Sequence, residues 1–223
     1  MSNIFPKEPS SFCIEGPQGL LELKTTWIES AQPLIAVIAH PHPLHQGSMH
    51  NKVVTTLMQA FNTLGLSTVR FNFRGVGKSE GHYGNAIGEL EDLRAVLNWV
   101  MAALPTARIW LAGFSFGSYI AAAMAKEWPV GQLVSIAPPV NQPYFKDLHG
   151  IEAPWLVVQG EKDEIIDPEA VWEWAACPPA PLKLIRLPGI GHFFHGYLTE
   201  LRELLVKELS SNPDLLVGKA ASN

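Results

Sequence analysis

A serine between two glycines is the first pattern in the chain with chemical meaning. Residues 113–117 read GFSFG, a Gly-x-Ser-x-Gly motif centred on Ser115. In a nucleophile elbow, such a serine sits on a strained turn between a buried strand and a helix. The run ARIWLA at 107–112 predicts the strand, and SYIAAAMAKEW at 118–128 predicts the helix. We therefore predict a nucleophile at Ser115 rather than a plain Gly/Ser turn that caps a helix.

A serine hydroxyl needs a base to remove its proton, and the base needs an acid to orient it. The expected chain order is serine, then acid, then histidine. Residues 160–170 read GEKDEIIDPEA and supply several carboxylates. Asp167 precedes a proline, which is typical of a helix N-cap, so we give it a structural role. Asp163 is the predicted acid, and two weaker candidates are Glu161 and Glu164.

The base is predicted in the loop after the last apolar run. Residues 188–196 read PGIGHFFHG, and His192 follows two glycines ahead of the final helical pattern. That position lets an imidazole reach both an acid and a serine from neighbouring loops. His195 is the competitor, and we expect it in or near the first turn of the helix. His192 is therefore the predicted base.

Catalysis by a serine also needs backbone donors for the oxyanion of the tetrahedral intermediate. One donor is normally the N–H that follows the nucleophile, which here belongs to Phe116. The other comes from the loop after the third strand, where residues 40–44 read HPHPL. Proline has no N–H, so His42 is the first available donor, and Leu44 is the alternative.

The elements that must position these residues can be predicted from hydrophobic runs. Six runs that are apolar nearly throughout predict buried parallel strands at 34–39, 67–73, 107–112, 132–137, 154–159 and 182–187. Helical patterns lie between them, and residues 12–28 are typical of an antiparallel hairpin. The alternation predicts one α/β domain over residues 1–211, with a mostly parallel, doubly wound sheet of about eight strands. Residues 212–223 are small and polar and are predicted to form a flexible tail.

Composition excludes several classes of function. The chain has 223 residues and a net charge of −5, and no run of lysine or arginine suggests a nucleic-acid partner. The N-terminus lacks an apolar signal segment, and the apolar runs are too short to cross a membrane, so we expect a cytoplasmic protein. The two cysteines form no CxxC pair and are expected to be free thiols.

Two further motifs are rejected as cofactor or metal sites. Residues 75–79 read GVGKS, but a P-loop needs a glycine at the position that Asn72 occupies, and the spacing of a dinucleotide-binding loop is also missing. Histidines are frequent between residues 40 and 50, but no set of cysteines or carboxylates accompanies them. We therefore predict neither a metal nor another cofactor.

These segments together resemble the α/β-hydrolase fold superfamily, and in particular its small dienelactone-hydrolase-like group of serine hydrolases and esterases. The resemblance covers nearly the whole chain, at residues 40–52, 70–81, 113–117, 159–167 and 189–196. It implies Ser115, Asp163 and His192 as a catalytic triad and the HPHP segment as the oxyanion loop. Dienelactone hydrolases proper carry a cysteine at the elbow, so the serine favours ordinary ester cleavage.

The resemblance also bears on substrate size, because many relatives insert a helical lid where this chain has only a short loop between Ala137 and Pro154. We expect a carboxylesterase-like serine hydrolase with an open cleft for small or medium esters. Thioesterase, small-peptide hydrolase and non-catalytic ligand-binding protein remain alternatives. A homodimer, in which the partner is a second copy of the chain, is a further possibility. Candidates for substrate contact, equally explained by ordinary packing, are Tyr144, Phe145 and Phe193.

Overall fold

Eight strands form one sheet in the computed structural model of the protein, which describes residues 4–30, 32–177 and 181–215. The strands are β1 (Ser10–Gly16), β2 (Gly19–Thr26), β3 (Leu34–Ala39), β4 (Ser67–Phe71), β5 (Arg108–Phe114), β6 (Gln132–Ile136), β7 (Trp155–Gly160) and β8 (Leu182–Leu187). The helices are α1 (Lys52–Thr63), α2 (Ile87–Ala103), α3 (Phe116–Ala125), α4 (Pro168–Ala176) and α5 (Leu198–Leu209). Two short 3₁₀ turns cover Pro43–His45 and Pro143–Asp147.

The order of the strands brings the predicted site loops to one edge of the sheet. The order is β1-β2-β4-β3-β5-β6-β7-β8. The pairs β1-β2 and β2-β4 are antiparallel, and every pair from β4-β3 to β7-β8 is parallel. The predicted hairpin and the predicted parallel sheet are both confirmed. The carboxyl ends of β3, β5, β7 and β8 therefore face the same side, where α/β sheets bind their ligands.

Helices cover both faces of the sheet, which explains why its central strands are apolar throughout. Helices α1 and α5 pack together on one face, where Phe61 and Leu205 are buried. Helices α2 and α3 lie on the other face with α4, where Leu97 and Ile120 are buried. All six residues of β3 are buried as a result. This two-sided burial is the pattern expected of a doubly wound sheet.

Two strands next to the predicted site, β4 and β5, end at residues other than those predicted from the sequence. Strand β4 stops at Phe71, two residues before the predicted end. The N–H of Asn72 still donates to the carbonyl of Glu22 on β2, but the N–H of Phe73 donates to a histidine ring instead of a neighbouring strand. Strand β5 runs on to Phe114 because it continues to pair with β6. The nucleophile candidate therefore follows the strand directly.

Residues 212–215 correct the prediction that a flexible tail begins at residue 212. The indole N–H of Trp110 donates to Asp214 Oδ2 over 2.9 Å, and Arg108 forms an ion pair with the same carboxylate. Asn212 Nδ2 donates to Gln132 Oε1 over 3.0 Å. The polar residues were misread as solvent-exposed because their partners lie about a hundred positions earlier in the chain. The rest of the predicted tail lies outside the described residues.

The helices of the described segments are short or amphipathic. None of them is both long enough and apolar enough to span a lipid bilayer.

Candidate active site

Ser115 occupies the tight turn between β5 and α3. Its φ of 52° and ψ of −120° put a non-glycine residue in a strained region of backbone space. The turn is held by the N–H of Ser115, which donates to the carbonyl of Ile136 on β6 over 2.8 Å. The carbonyl of Ser115 accepts from the N–H and the hydroxyl of Ser118. These bonds hold a half-buried serine at the head of α3, as the motif predicts.

The two glycines of the motif are required by space. A Cβ added at Gly113 would lie 2.1 Å from the carbonyl oxygen of Gly117. A Cβ added at Gly117 would lie 2.4 Å from the carbonyl oxygen of Ala39 and 2.5 Å from that of His40. The elbow therefore packs directly against the end of β3, which carries the loop with the predicted oxyanion donor.

The side chains of His192 and Asp163 are in contact, although 29 positions separate the two residues. His192 Nδ1 lies 2.8 Å from Asp163 Oδ2, and both side chains are buried. Asp163 follows β7, and His192 follows β8, so the pairing of these two neighbouring strands brings the loops together. An ionised carboxylate only accepts hydrogen bonds, so the ring nitrogen that faces it, Nδ1, carries the hydrogen. Nε2 is then left as the acceptor.

Four hydrogen bonds hold the carboxylate of Asp163. Its Oδ2 accepts from His192 and from Gln159 Nε2, at 2.8 Å each. Its Oδ1 accepts from the backbone N–H groups of Ile165 and Ile166, at 2.9 and 2.8 Å. Burial alone would raise the pKa of Asp163, but the bonds from His192 and the two amides outweigh it and keep the pKa below its usual value. The acid is therefore ionised at neutral pH.

The other carboxylates of this loop have different partners. Glu164 Oε2 accepts from the backbone N–H of His192 over 3.0 Å and so holds the histidine loop, not its ring. Glu161 is exposed. Asp167 accepts from the N–H of Glu169 over 3.1 Å and caps α4, as predicted. Of the acids considered, only Asp163 touches the imidazole of His192.

His192 also lies beside the nucleophile elbow. Its ring centroid is 5.0 Å from that of Phe114, the residue before Ser115. Within the described residues, neither Ser115 Oγ nor His192 Nε2 has a protein hydrogen-bond partner. Bonds between a nucleophile and its base often become short only when substrate is bound. His195, the competing histidine, is exposed and precedes the first residue of α5, Leu198.

At the predicted oxyanion positions, two backbone amides have no hydrogen-bond acceptor within the described part of the chain. The N–H of Phe116 opens α3, where it has no intrahelical acceptor and the helix dipole favours negative charge. The ring of His42 lies 4.8 Å from that of Phe116, so the two residues are neighbours. Among the described residues, the N–H of His42 finds no acceptor. The N–H of Leu44, the alternative donor, already donates to His42 Nδ1 over 3.2 Å.

A buried histidine orients the His42 amide. His40 Nδ1 lies 2.6 Å from the carbonyl oxygen of Pro41, and its Nε2 accepts from the N–H of Phe73 over 3.0 Å. Burial lowers the pKa of His40 to about 3, so the ring is neutral with its proton on Nδ1. The C=O of Pro41 and the N–H of His42 belong to one planar peptide and point in opposite directions. By fixing the carbonyl, His40 fixes the direction of the N–H.

Known proteins similar to this chain share the fold described above, and some of them are described as serine hydrolases. Residues 44–146 match the family described as alpha/beta hydrolase fold. A solved alpha-beta serine hydrolase homologue from Coxiella burnetii is 50% identical, with a TM-score of 0.88, over 92% of this chain and 99% of that one. A lidless a/b serine hydrolase from Xanthomonas campestris is 43% identical, with a TM-score of 0.87, over 92% and 95%. The chain belongs to the α/β-hydrolase fold family.

A third relative of this α/β-hydrolase has no described activity. It is an uncharacterised protein of Rickettsia prowazekii, 37% identical over 161 residues, which are 70% of this chain and 68% of the relative.

The absence of a lid is confirmed, because residues 138–154 hold only a short 3₁₀ turn. Together these likenesses support a hydrolase.

The three aromatic residues predicted near the cleft of this α/β-hydrolase divide into two groups. Phe145 is only 1% exposed and packs on two tryptophans, Trp155 at 6.3 Å and Trp174 at 5.3 Å, so its prediction as a substrate contact is wrong. Those partners come from β7 and α4, which a local pattern could not show. Phe193 is 39% exposed and 5.0 Å from His192. Tyr144 is half-buried and contacts Tyr119 on α3 at 4.2 Å.

Sequence reasoning missed three residues that support the site. Gln159 ends the apolar run of β7 and donates to the acid, and a polar residue at that point is a signal that could have been used. His40 gives no comparable signal, because its partners are backbone atoms. Tyr83 also escaped notice, and its ring lies 4.8 Å from His42 and 6.1 Å from Phe116.

Proposed function

We propose that this α/β-hydrolase cleaves small or medium carboxylic esters through an acyl-enzyme on Ser115. The observation that carries the proposal is the buried 2.8 Å bond between His192 and Asp163, in loops that face the strained serine elbow. A buried, ionised acid that fixes one imidazole nitrogen leaves the other nitrogen free to act as a base.

In the first half of the reaction, Ser115 Oγ attacks the ester carbonyl, and its proton passes to His192 Nε2. Asp163 holds the ring in the tautomer with Nδ1 protonated and stabilises the imidazolium that forms. The carbonyl oxygen becomes an anion between the N–H groups of Phe116 and His42. Preorganised donors of this kind each contribute about 3–4 kcal/mol to transition-state stabilisation.

Collapse of the tetrahedral intermediate breaks the bond to the alcohol. His192 then gives its proton to the leaving oxygen, and the acyl group stays on Ser115. Water enters, loses a proton to the same imidazole, and attacks the acyl carbonyl. Expulsion of Ser115 Oγ, with return of the proton, releases the acid and restores the enzyme. The sequence of steps balances without a cofactor.

The proposed size of the substrate follows from the access to the site. Residues 138–154 make no helical cover over the elbow, and Phe193 is partly exposed beside the base. An open cleft of this kind suits short esters more than long lipid chains held under a lid. Ester, thioester and amide substrates share the acyl-enzyme chemistry, so the preferred leaving group is an outcome of the test.

The test is steady-state hydrolysis of matched esters, thioesters and aminoacyl amides by the wild-type protein and by Ser115→Ala. We expect the highest kcat/KM on the esters, and we expect Ser115→Ala to lose about 10⁴-fold or more in kcat. Ser210→Ala, an exposed serine at the end of α5, is the matched control and should retain full activity. A higher kcat/KM on thioesters or amides would replace the ester assignment. Equal hydrolysis rates for wild-type and Ser115→Ala would refute the mechanism. If both rates equalled the uncatalysed rate, that result would favour a ligand-binding protein.

A further inference from the structure

Three of the four tyrosines of the chain gather beside the oxyanion donors. The rings of Tyr119 and Tyr144 lie 4.2 Å apart, and the ring of Tyr83 lies 4.8 Å from that of His42. Tyr83 also lies 6.1 Å from Phe116, which precedes Tyr119 by one helical turn on α3, so the three side chains form one cluster. Burial raises the pKa of Tyr144 to about 12. We call Tyr83, Tyr119 and Tyr144 the tyrosine wall.

The tyrosine wall lies on the acyl side of the proposed reaction. The leaving oxygen must face His192, which gives it a proton, and the oxyanion must face Phe116 and His42. The acyl substituent is then directed away from His192. Tyr83 contacts His42 and Phe116, and among the described residues its ring makes no contact with that of His192, whereas Phe193 contacts His192.

Two hydrogen-bond donors of the wall are unused. In the described part of the chain, the hydroxyls of Tyr83 and Tyr144 make no hydrogen bond, although both residues are half-buried. Burial and the carboxylate of Glu89 raise the pKa of Tyr83, so both phenols are protonated donors at neutral pH. A ligand that covers them with alkyl groups alone would leave each hydroxyl unpaired, which is unfavourable.

The side chains of the wall carry no charge themselves, and the nearby carboxylate of Glu89 is buried, where it accepts from the N–H groups of Gly84 and Ala86. Burial and the neighbouring His45 lower the pKa of His42, so the ring that borders Tyr83 is held towards its uncharged form. The phenols are uncharged as well. Flat aromatic faces stack best on flat partners, and neutral O–H donors pair with neutral acceptors such as ether or carbonyl oxygens.

We propose that the tyrosine wall is a subsite for the acyl group of the ester. The acyl group that it fits is aromatic and uncharged and carries a hydrogen-bond acceptor on its ring. The rings of the wall stack on the aromatic acyl group. The hydroxyls of Tyr83 and Tyr144 donate to its acceptor. This inference rests on the proposed function, because it assigns the acyl half of the same site.

The kinetic test compares two esters with the same leaving group, 4-nitrophenyl 4-methoxybenzoate and 4-nitrophenyl cyclohexanecarboxylate. Both acids carry a six-membered ring, but only the first is flat and carries an ether oxygen. In the double variant Tyr83→Phe/Tyr144→Phe, the ratio of kcat/KM for the two esters should fall by about 5–10-fold in favour of the cyclohexane ester. Intrinsic ester reactivity cancels in this comparison of variant with wild-type.

Tyr197→Phe is the matched control for the kinetic test. Tyr197 is the fourth tyrosine, it is 45% exposed in the turn before α5, and it should leave the ratio unchanged. Retention of the wild-type ratio by the double variant, or the same fall in Tyr197→Phe, would overturn the subsite.

A binding test separates the subsite from the proposed chemistry. The Ser115→Ala protein, which needs no turnover, is titrated with 4-methoxybenzamide and with cyclohexanecarboxamide. Adding Tyr83→Phe and Tyr144→Phe should raise the Kd for the aromatic amide by about 5–10-fold more than the Kd for the other. This result would support the subsite even if no ester were hydrolysed. Equal changes in the two Kd values would overturn the subsite even if the esterase assignment held.

Discussion

At the scale of single residues, the site depends on groups held in unfavourable states by their surroundings. Ser115 adopts a backbone conformation that costs on the order of 1–3 kcal/mol, and its bonds to Ile136 and Ser118 hold it there. His40 is fully buried and uncharged. Both residues lie within a few positions of the proposed oxyanion site, so the strain and the desolvation act on the same catalytic feature.

The buried state of His40 predicts how stability depends on pH. Its ordinary pKa of 6.5 applies to the unfolded chain, and burial lowers the folded value to about 3. The unfolded chain therefore takes up a proton below pH 6.5 while the folded chain stays neutral. The free energy of unfolding should therefore fall by up to about 1.4 kcal/mol for each pH unit as the pH decreases from 6.5 to 3. The contribution of His40 to stability is complete only above pH 6.5.

The measurement is urea unfolding of the wild-type protein and of His40→Asn between pH 7 and pH 4. The stability of the wild-type should fall more steeply with acid, because asparagine does not titrate. The same change at the exposed His195 provides the control and should run parallel to the wild-type. Parallel curves for wild-type and His40→Asn would show that His40 does not resist protonation.

At the scale of elements, the elbow between β5 and α3 is fitted against the end of β3. Gly117 leaves no room for a Cβ, because the carbonyl oxygens of Ala39 and His40 lie within 2.5 Å of its position. Those carbonyls belong to the segment that leads to the His42 amide. The elbow and the oxyanion loop are therefore one packed unit, and a shift in one must move the other.

Gly117→Ala should consequently damage both stability and catalysis. We expect a loss of about 1–3 kcal/mol in the free energy of unfolding, as is usual for overpacking, together with a lower kcat on a good ester. Gly65→Ala is the control, since Gly65 has open space around its Cβ position but a φ of +90°. It should lose about 1–2 kcal/mol of stability with kcat unchanged. An unchanged kcat in folded Gly117→Ala would contradict the coupling.

The sequence predicted the elements well because their signals are local. The two-sided burial of β3 and β5 makes continuous apolar runs, and the parallel order then places Ser115, Asp163 and His192 at one edge. Strand ends were less predictable. Strand β4 stops at Phe71 because Phe73 donates to His40, a contact between distant positions that no periodicity shows.

At the scale of the whole molecule, the misread residues are those whose partners lie far along the chain. Phe145 was a candidate for substrate contact because it lies in the short loop beside the expected open cleft, but tryptophans from two other elements bury it. Asp214 looked like tail until its bond to Trp110 was seen. Gln159 and Tyr83 were missed for the same reason, since their roles depend on which way a side chain points across the sheet.

The proposed triad is itself a property of the whole molecule, because it needs the loops after β5, β7 and β8 to act on one hydroxyl. The most direct measurement is labelling with a fluorophosphonate probe, followed by peptide mapping of the labelled protein. We predict one label per chain on Ser115, no label on folded Ser115→Ala, and much slower labelling of His192→Asn. Stoichiometric labelling of Ser115→Ala at another residue would contradict the account.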